Sequence, residues 1–386
     1  MSIKSNWCSC TKCHAGYGWK DEAFDACGKK DGFCFDDPSR ADCLICHDTT
    51  GTYDKKKNTC GYPNESVDLD KVARHVGKPV RANCGTCHWY GGGGNNVKHG
   101  DMGDTLADPD PDHDVHMGAL DFTCQECHTT ESHRIAGRST TSSVSEGKVS
   151  CTDCHERTPH DSNSPVLDRL NAHCDAIACQ TCHIPKYAKQ TKTTTRWDWS
   201  QSGQPSKTLK KTDQMVKKIS KKKGVLVEQK NLTPSYDWYN GTHRRYLKGD
   251  PVNLDGVTYL NPPMGDIDDP EAKITPYKLM KSKVPADKKL GHLIVPKLHN
   301  GYFTNYNWEE AARKGMKAAG LDFSGEVTFV KTVMHWRLNH EVAPKQDALS
   351  CLDCHGTEGV MDFKALGYKG DPAATGGRTT KEGSKQ

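Results

Sequence analysis

The stretch Cys10-Thr-Lys-Cys13-His14-Ala-Gly-Tyr-Gly-Trp-Lys20 decides how the rest of this chain is organised. It contains the pattern Cys-x-x-Cys-His, in which two thiols attach a haem through thioether bonds and the next histidine binds the iron from one side. Lys20 follows His14 by six residues and is the nearest nitrogen donor for the opposite side of that iron. We therefore predict a haem here, with His14 as its proximal ligand.

The same pattern occurs six more times, always with a histidine directly after the second cysteine. Zinc ribbons also use Cys-x-x-Cys pairs, but they do not require that histidine. The seven motifs therefore predict seven covalently bound haem c groups. The predicted haem-attaching residues are Cys10, Cys13, Cys43, Cys46, Cys84, Cys87, Cys124, Cys127, Cys151, Cys154, Cys179, Cys182, Cys351 and Cys354. The predicted proximal ligands are His14, His47, His88, His128, His155, His183 and His355.

Twelve of the nineteen histidines remain after these assignments. Six of them lie near a motif in short polar segments, where a core role is not expected, and we predict them as distal iron ligands. They are His99, His116, His133, His160, His173 and His340. Spacing does not indicate which of them serves which haem. The other six are expected to be surface, structural or propionate-binding residues, with His75 and His335 the first exceptions to consider.

Six distal histidines for seven haems leave one haem without such a ligand, and we assign Lys20 to it. A haem with two protein nitrogens can only hold and pass electrons, whereas an exchangeable sixth ligand lets a small molecule bind. A buried lysine can lose its proton to bind iron, and once displaced it can donate a hydrogen bond to an anion. We therefore predict Lys20 and His14 as the catalytic residues. On spacing alone, an ordinary surface lysine explains Lys20 equally well.

The composition fits a chain whose core is largely porphyrin. Only 34% of the 386 residues are apolar, which is low for a globular protein of this length. We expect a mainly α fold with long irregular loops, wrapped around a haem stack and with almost no sheet. The formal charge of +4 would be offset by haem propionates, so no nucleic-acid partner is expected.

The motif distribution divides the chain into four parts. Residues 1–190 form a six-haem domain that includes the catalytic haem, and residues 191–345 form a haem-free insertion that wraps the core. One clear helix is predicted at 307–320, where Asn307 can cap the start and Gly320 can end it. Residues 346–368 carry the last motif, and residues 369–386 are expected to be a disordered tail. The lysine-rich run at 217–223 is expected to be a solvated loop.

Haem attachment takes place outside the cytoplasm, which predicts a periplasmic or extracellular location. The sequence has no apolar run of about 18 residues, so we expect no membrane anchor in this chain. The first residues also lack the apolar segment of an export signal, which suggests a processed or shortened chain. Five cysteines lie outside the motifs, and because their number is odd at least one is expected to be free or paired between molecules. They are Cys8, Cys27, Cys34, Cys60 and Cys174.

Around the first motif, the sequence Cys-Thr-Lys-Cys-His-Ala-Gly-Tyr-Gly-Trp-Lys-Asp resembles the octahaem tetrathionate reductase family of multihaem cytochromes c. The resemblance spans nearly the whole chain, including the haem-free insertion. It is carried by residues 10–21, 42–53, 81–88, 90–101, 177–185, 197–200, 339–345 and 349–356.

This resemblance implies multi-electron reduction of small inorganic substrates, namely tetrathionate to thiosulfate, nitrite and hydroxylamine. It also implies that Lys20 is the distal ligand of the catalytic haem. The family has eight haems, with the first motif upstream of the catalytic one, so this chain looks truncated at its N-terminus. The family also suggests that self-association is possible.

Two functions follow from these observations and remain in competition. The first is a reductase that takes electrons from a redox donor protein or a quinol-linked cytochrome and delivers them to a small inorganic anion. The second is a non-catalytic electron conduit, conceivably a homo-oligomer in which haems continue between subunits. The two differ in coordination, because a conduit has every iron closed while an enzyme needs one that opens.

Overall fold

The computed structural model describes residues 41–55, 61–136 and 149–378, and its dominant feature is an eight-stranded sheet. All eight strands lie in the segment between the sixth and seventh haem motifs. The prediction of a mainly α fold with almost no sheet is therefore wrong. The physical reason lies in the segment itself, which is rich in β-branched and aromatic residues and favours strands.

The strands are as follows. A short hairpin is formed by β1 (Thr130–Glu131) and β2 (Arg134–Ile135), and the large sheet by β3 (Thr193–Asp198), β4 (Lys207–Lys211), β5 (Met215–Ser220), β6 (Gly224–Gln229), β7 (Ser235–Tyr239), β8 (Val257–Tyr259), β9 (Lys273–Asp287) and β10 (Val327–Arg337).

The order across the large sheet is β4-β5-β6-β3-β9-β10-β8, with β7 paired to β9 as well. Strand β9 is central because its two halves bind different neighbours on one side. Its first residues pair antiparallel with β7, and residues 281–283 pair in parallel with β3. On its other side, β10 runs antiparallel to it along eleven residues, from Val327 opposite Asp287 to Arg337 opposite Tyr277.

The helices are short and most of them coincide with haem motifs. They are α1 (Leu44–His47), α2 (Leu69–Arg74), α3 (Arg81–His88), α4 (Cys124–Cys127), α5 (Pro165–His173), α6 (Cys179–His183), α7 (Phe303–Asn305), α8 (Trp308–Ala319), α9 (Cys351–Cys354) and α10 (Pro372–Thr375). Single 3-10 turns lie at Asp104–Ala107, Cys151–Asp153, Trp199–Gln201 and Lys345–Asp347, and π-helical turns at Val115–Ala119 and Leu298–Tyr302.

Helix α8 shows how sequence signals set its ends. The side chain of Asn307 accepts a hydrogen bond from the Glu310 amide at the start, and Gly320 adopts φ 69° directly after the end. This left-handed conformation suits glycine and stops the helix. The bounds lie within one residue of the predicted 307–320. Ala312 and Met316 are fully buried and pack on the segment that follows β9.

The apolar core of the described residues lies mainly with the sheet. Five hydrophobic clusters are formed, and Val97 is the only buried member that comes from the described part of the first 136 residues. The motif-bearing N-terminal half therefore has little protein core of its own. This distribution fits polypeptide that packs around flat apolar cofactors.

Two other expectations are changed by the structure. The lysine-rich run at 217–223 belongs to strand β5 and the turn after it, where Lys218 forms an ion pair with Glu228 at 2.8 Å. Residues 369–378, placed in a disordered tail, contain helix α10, and Arg378 donates to the carbonyls of Ile267 and Ala272. Residues 379–386 lie outside the described part. No helix in the described ranges is long and apolar enough to span a membrane.

Candidate haem sites

Each described Cys-x-x-Cys-His motif forms one turn of helix, and this geometry follows from local backbone hydrogen bonds. In four motifs the histidine amide donates to the carbonyl of the first cysteine. The distances are 3.0 Å for His47 and Cys43, 2.8 Å for His128 and Cys124, 2.8 Å for His155 and Cys151, and 2.9 Å for His355 and Cys351. Residues three and four apart on a helix share one face. Both thiols and the histidine can therefore meet the same porphyrin.

Aspartates inside two motifs fix where this turn begins. The amide and hydroxyl of Ser150 both donate to Asp153 Oδ2, at 2.6 and 3.0 Å. Ser350 and Asp353 repeat the arrangement at 2.8 and 2.7 Å. Hydrogen bonds from these serines lower the pKa of both carboxyls, so they remain charged caps. The motif turn is thus set locally, before any distant contact forms.

Four pairs of imidazole rings face one another in the structure, and each pair joins one predicted proximal ligand to one predicted distal ligand. The ring centres lie 6.1 Å apart for His47 and His133, 6.2 Å for His155 and His116, 6.3 Å for His128 and His340, and 6.3 Å for His355 and His173. The narrow range of these separations means that the four sites share one geometry.

That separation fits one iron between two nitrogens. A metal–imidazole bond of about 2.0 Å and roughly 1.1 Å from nitrogen to ring centre, counted on both sides, give about 6.2 Å between ring centres. Direct packing of the two rings would not require this spacing in all four pairs. The residues present therefore fit haems held by two histidines, with the porphyrin edge attached to the motif thiols.

The second ring nitrogen supports the same interpretation. A metal-binding histidine usually gives its other nitrogen to a carbonyl or carboxylate, which fixes the ring orientation. Four predicted ligands use Nδ1 in this way. The contacts are His47 with the Gly77 carbonyl at 2.8 Å, His160 with Asn171 Oδ1 at 3.1 Å, His340 with Asp101 Oδ2 at 3.2 Å, and His355 with Asp371 Oδ1 at 2.6 Å. Their Nε2 atoms are left for a metal.

Asp101 is the most buried of these partners. Its Oδ2 accepts hydrogen bonds from the amides of Asn339 and His340, at 2.7 and 2.9 Å, as well as from the His340 ring. Burial acts to raise the pKa of Asp101, but these hydrogen bonds and nearby positive charge lower it to about 2. A fixed negative charge therefore lies directly behind the His340 ring.

The remaining two described motifs carry His88 and His183, which do not belong to the four ring pairs. Burial lowers the pKa of His88, and the neighbouring His340 lowers it further. Burial also lowers the pKa of His183, with a further contribution from the predicted distal ligand His160. Both rings are therefore neutral near pH 7, which is the metal-binding form of imidazole.

His99, the sixth predicted distal ligand, is held by an anchored loop. Its ring centre lies 4.8 Å from that of Trp336, and burial lowers its pKa to about 4. The fully buried ammonium of Lys278 donates to the carbonyls of Val97 and Lys98, at 2.8 and 2.6 Å. It also donates to the Thr193 hydroxyl on β3. Lys278 thus ties the loop that carries His99 to the sheet.

Four histidines outside the predicted ligand set turn Nε2 toward protein instead. The nearest groups are the Thr105 hydroxyl for His113 at 3.2 Å, the Tyr277 hydroxyl for His243 at 3.5 Å, the Asp322 carbonyl for His292 at 3.2 Å and the Asp237 carboxylate for His335 at 3.8 Å. His75 differs, because its ring is exposed and Nδ1 contacts the Lys71 carbonyl at 2.7 Å. This ligand-like orientation is not visible in the sequence.

Thiols of consecutive motifs lie close together, which places the sites in a chain. Contact between the thiols of Cys84 and Cys124 raises the pKa of Cys84, and contact between Cys151 and Cys179 raises that of Cys151. Attached porphyrins would therefore lie edge to edge within each of these pairs of motifs. Such spacing is what electron transfer between haems requires.

Several predicted residues cannot be placed in this geometry. His14, Lys20, Cys10 and Cys13 lie outside the described residues, so the catalytic assignment rests on sequence. The extra cysteines Cys8, Cys27, Cys34 and Cys60 lie outside them as well. Cys174 is described and is a free thiol, and burial raises its pKa.

Comparison with known proteins agrees with this description. A family model described as bacterial cytochrome c matches residues 194–358, and a model for cytochrome c7 and related cytochromes c matches residues 110–184. No curated protein matches this chain. The crystal structure of octaheme cytochrome c from Shewanella oneidensis is 44% identical, with a TM-score of 0.85, and the match covers 99% of this chain and 85% of that one. The chain therefore belongs to the family of multihaem cytochromes c that includes this octahaem protein, as its motifs predicted.

Proposed function

We propose that this protein is a multihaem c-type cytochrome reductase, in which electrons pass through bis-histidine haems to a catalytic haem bound by His14 and Lys20. The observation that carries the electron-transfer part is the set of four histidine pairs with ring centres 6.1 to 6.3 Å apart. Iron closed on both sides by imidazole has no place for a substrate, so these sites serve to store and move electrons.

Bound haem supplies iron that gains and loses single electrons. The chain's own residues adjust how readily it does so, because a carboxylate behind an imidazole makes that imidazole a stronger donor. Asp101 and Asp371 act in this way on His340 and His355, whereas His47 has only the Gly77 carbonyl behind it. We expect the first two sites to favour the oxidised state more than the third.

The catalytic part of the proposal rests on the family relationship and on the position of Lys20 after the first motif. The ammonium of a displaced Lys20 would donate a hydrogen bond or proton to a small inorganic anion near the iron. With tetrathionate as substrate, two electrons break the central S–S bond and give two thiosulfate ions. Nitrite and hydroxylamine are further candidate substrates. We place the protein in the periplasm or outside the cell, with a redox protein or quinol-linked cytochrome as electron donor.

The test is electron paramagnetic resonance of the ferric protein, with and without nitrite, in the wild type and in Lys20→Ala. A matched control is Lys12→Ala, which removes a lysine from inside the same motif. We expect one haem to have a distinct signal that changes with nitrite and with Lys20→Ala only. If neither addition changes any signal, Lys20 is not a ligand and the reductase proposal fails.

An electron conduit is the second candidate, and the same four closed sites favour it. In that case every iron, including the one at His14, would be closed by tightly held ligands. The chain could then self-associate so that haems continue from one copy to the next. The resonance experiment separates the two functions, because a conduit gives only bis-histidine signals that are indifferent to nitrite.

A further inference from the structure

The hairpin formed by β4 and β5 is the most strongly charged surface of the described chain. Residues 207–223 contain eight lysines and a single acid, Asp213. Asp213 is already paired, since its carboxylate lies 2.9 Å from the ammonium of Lys230 on the neighbouring segment. The hairpin therefore carries a large excess of positive charge with no acid of its own to balance it.

The remaining lysines of this hairpin fall into two groups. Lys218 pairs with Glu228, and the lysines of the turn lie over aromatic rings, with Lys223 5.6 Å from the ring centre of Trp197. Four others are exposed and form no ion pair within the described ranges. They are Lys207, Lys210, Lys211 and Lys217.

The pairing register makes this arrangement costly for the sheet. Lys210 on β4 lies directly opposite Lys217 on β5. Like charges at directly opposed positions destabilise an antiparallel pair. Lysines on an edge strand can discourage sheet-to-sheet aggregation, but that explanation covers only β4, because β5 is paired on both sides. The lysine on β5 therefore needs another explanation.

The hairpin also lies next to a haem motif. The Lys223 ammonium donates to the Gly93 carbonyl at 2.8 Å, in the turn that follows the motif ending at His88. The Trp197 indole donates to the Lys223 carbonyl at 2.7 Å, and Trp197 shares a hydrophobic cluster with Val97 and Trp336. A partner bound to the hairpin would thus be close to the haem of Cys84 and Cys87.

We infer that the β4–β5 hairpin is a docking surface for an acidic electron-transfer protein, which exchanges electrons with the haem attached at Cys84 and Cys87. Four unpaired lysines attract an acidic protein surface and orient it during encounter. Binding also relieves the repulsion between Lys210 and Lys217. The inference extends the proposed function by naming the chemistry of the electron donor, and it holds for a reductase or a conduit.

The experiment uses the full haem-loaded chain and two probes of opposite charge. Dithionite-reduced protein is mixed with ferric succinylated cytochrome c, which is acidic, or with native cytochrome c, which is basic. Each probe molecule takes one electron, and its absorbance reports the rate. The variant is Lys210→Glu with Lys211→Glu and Lys217→Glu. The control has the same net charge but changes three exposed lysines outside the hairpin, Lys317, Lys345 and Lys364, to Glu.

At low salt we expect the hairpin variant to react with the acidic probe at least roughly tenfold more slowly than wild type, with most of the salt dependence lost. The control variant should change the rate much less, and the basic probe should not be slowed by the hairpin variant. Unchanged haem spectra and midpoint potentials show that the variant is folded. Equal slowing by both variants would mean that only net charge matters, and the inference would be overturned.

A second outcome would also overturn it. If the hairpin variant lost binding to double-stranded DNA while its reaction with the acidic cytochrome stayed at the wild-type rate, the surface would be a nucleic-acid site. Nitrite reduction with methyl viologen is measured separately, because this small donor does not need a docking surface. Failure of the docking inference and failure of the proposed reductase are therefore distinguishable.

Discussion

Replacing Asp101 by Asn should raise the midpoint potential of one haem, because it removes the negative charge behind His340. The carboxylate lies 3.2 Å from His340 Nδ1. Adding the ring and one iron–nitrogen bond places it about 7 Å from the iron. Coulomb's law with an effective dielectric constant of about 20 then gives about 2.4 kcal/mol. For a one-electron couple this corresponds to about 100 mV, with the oxidised iron losing stabilisation.

The substitution suits the site sterically. Oδ1 of Asp101 has no hydrogen-bond partner, so the amide group of Asn can occupy that side while its oxygen keeps the bonds from Asn339 and His340. Potentials are measured by spectroelectrochemical titration of the wild type, Asp101→Asn and the exposed control Asp213→Asn. One potential should move upward only in Asp101→Asn. If no potential moves more than in the control, a charged carboxylate behind the ligand is not what sets this haem.

Three further outcomes are expected. His133→Ala should open the haem of His47, giving one carbon-monoxide-binding haem per molecule in difference spectra, and an unchanged spectrum would contradict their pairing. Lys278→Met should lower the free energy of unfolding by about 3 kcal/mol in denaturant titrations, because it leaves buried carbonyls unpaired, whereas Lys281→Met on the same strand should change it little. Hydrogen bonds lower the pKa of Asp371, so its stabilising effect should be present above about pH 4 and lost below it; Asp371→Asn should flatten that acid-side change in thermal melts.

The haem motifs were predictable because their chemistry needs adjacent residues. Two thiols and a histidine on one turn can be recognised wherever they occur, and this pattern predicted the family. The partners of the proximal histidines were not predictable, because tertiary structure brings them together. His340 follows His128 by more than two hundred residues, and no local pattern connects them. The choice of six distal candidates rested on proximity to motifs, and four of those six face a proximal ring.

The sheet could have been recognised from the residues of its strands. Val327-Thr-Phe-Val-Lys-Thr-Val-Met-His-Trp-Arg337 is dominated by β-branched and aromatic residues, and it forms β10. The dense motifs and low apolar fraction directed attention to haem packing instead. The lysines of β5 were misinterpreted for a related reason, since alternation of Lys with Val and Ile indicates a strand whatever the charge. Long-range pairing to β9 could not be inferred from composition.

The pairing of His128 with His340 has a consequence for biogenesis. A chain emerges from its N-terminus, so the thiols at Cys124 and Cys127 become available long before His340 is made. During that interval an attached haem would have one side open, and any other histidine of the nascent chain could occupy it. Correct maturation then depends on exchange of such early partners as the C-terminal half arrives. Slow synthesis near the end of the chain would favour trapped, wrongly connected molecules.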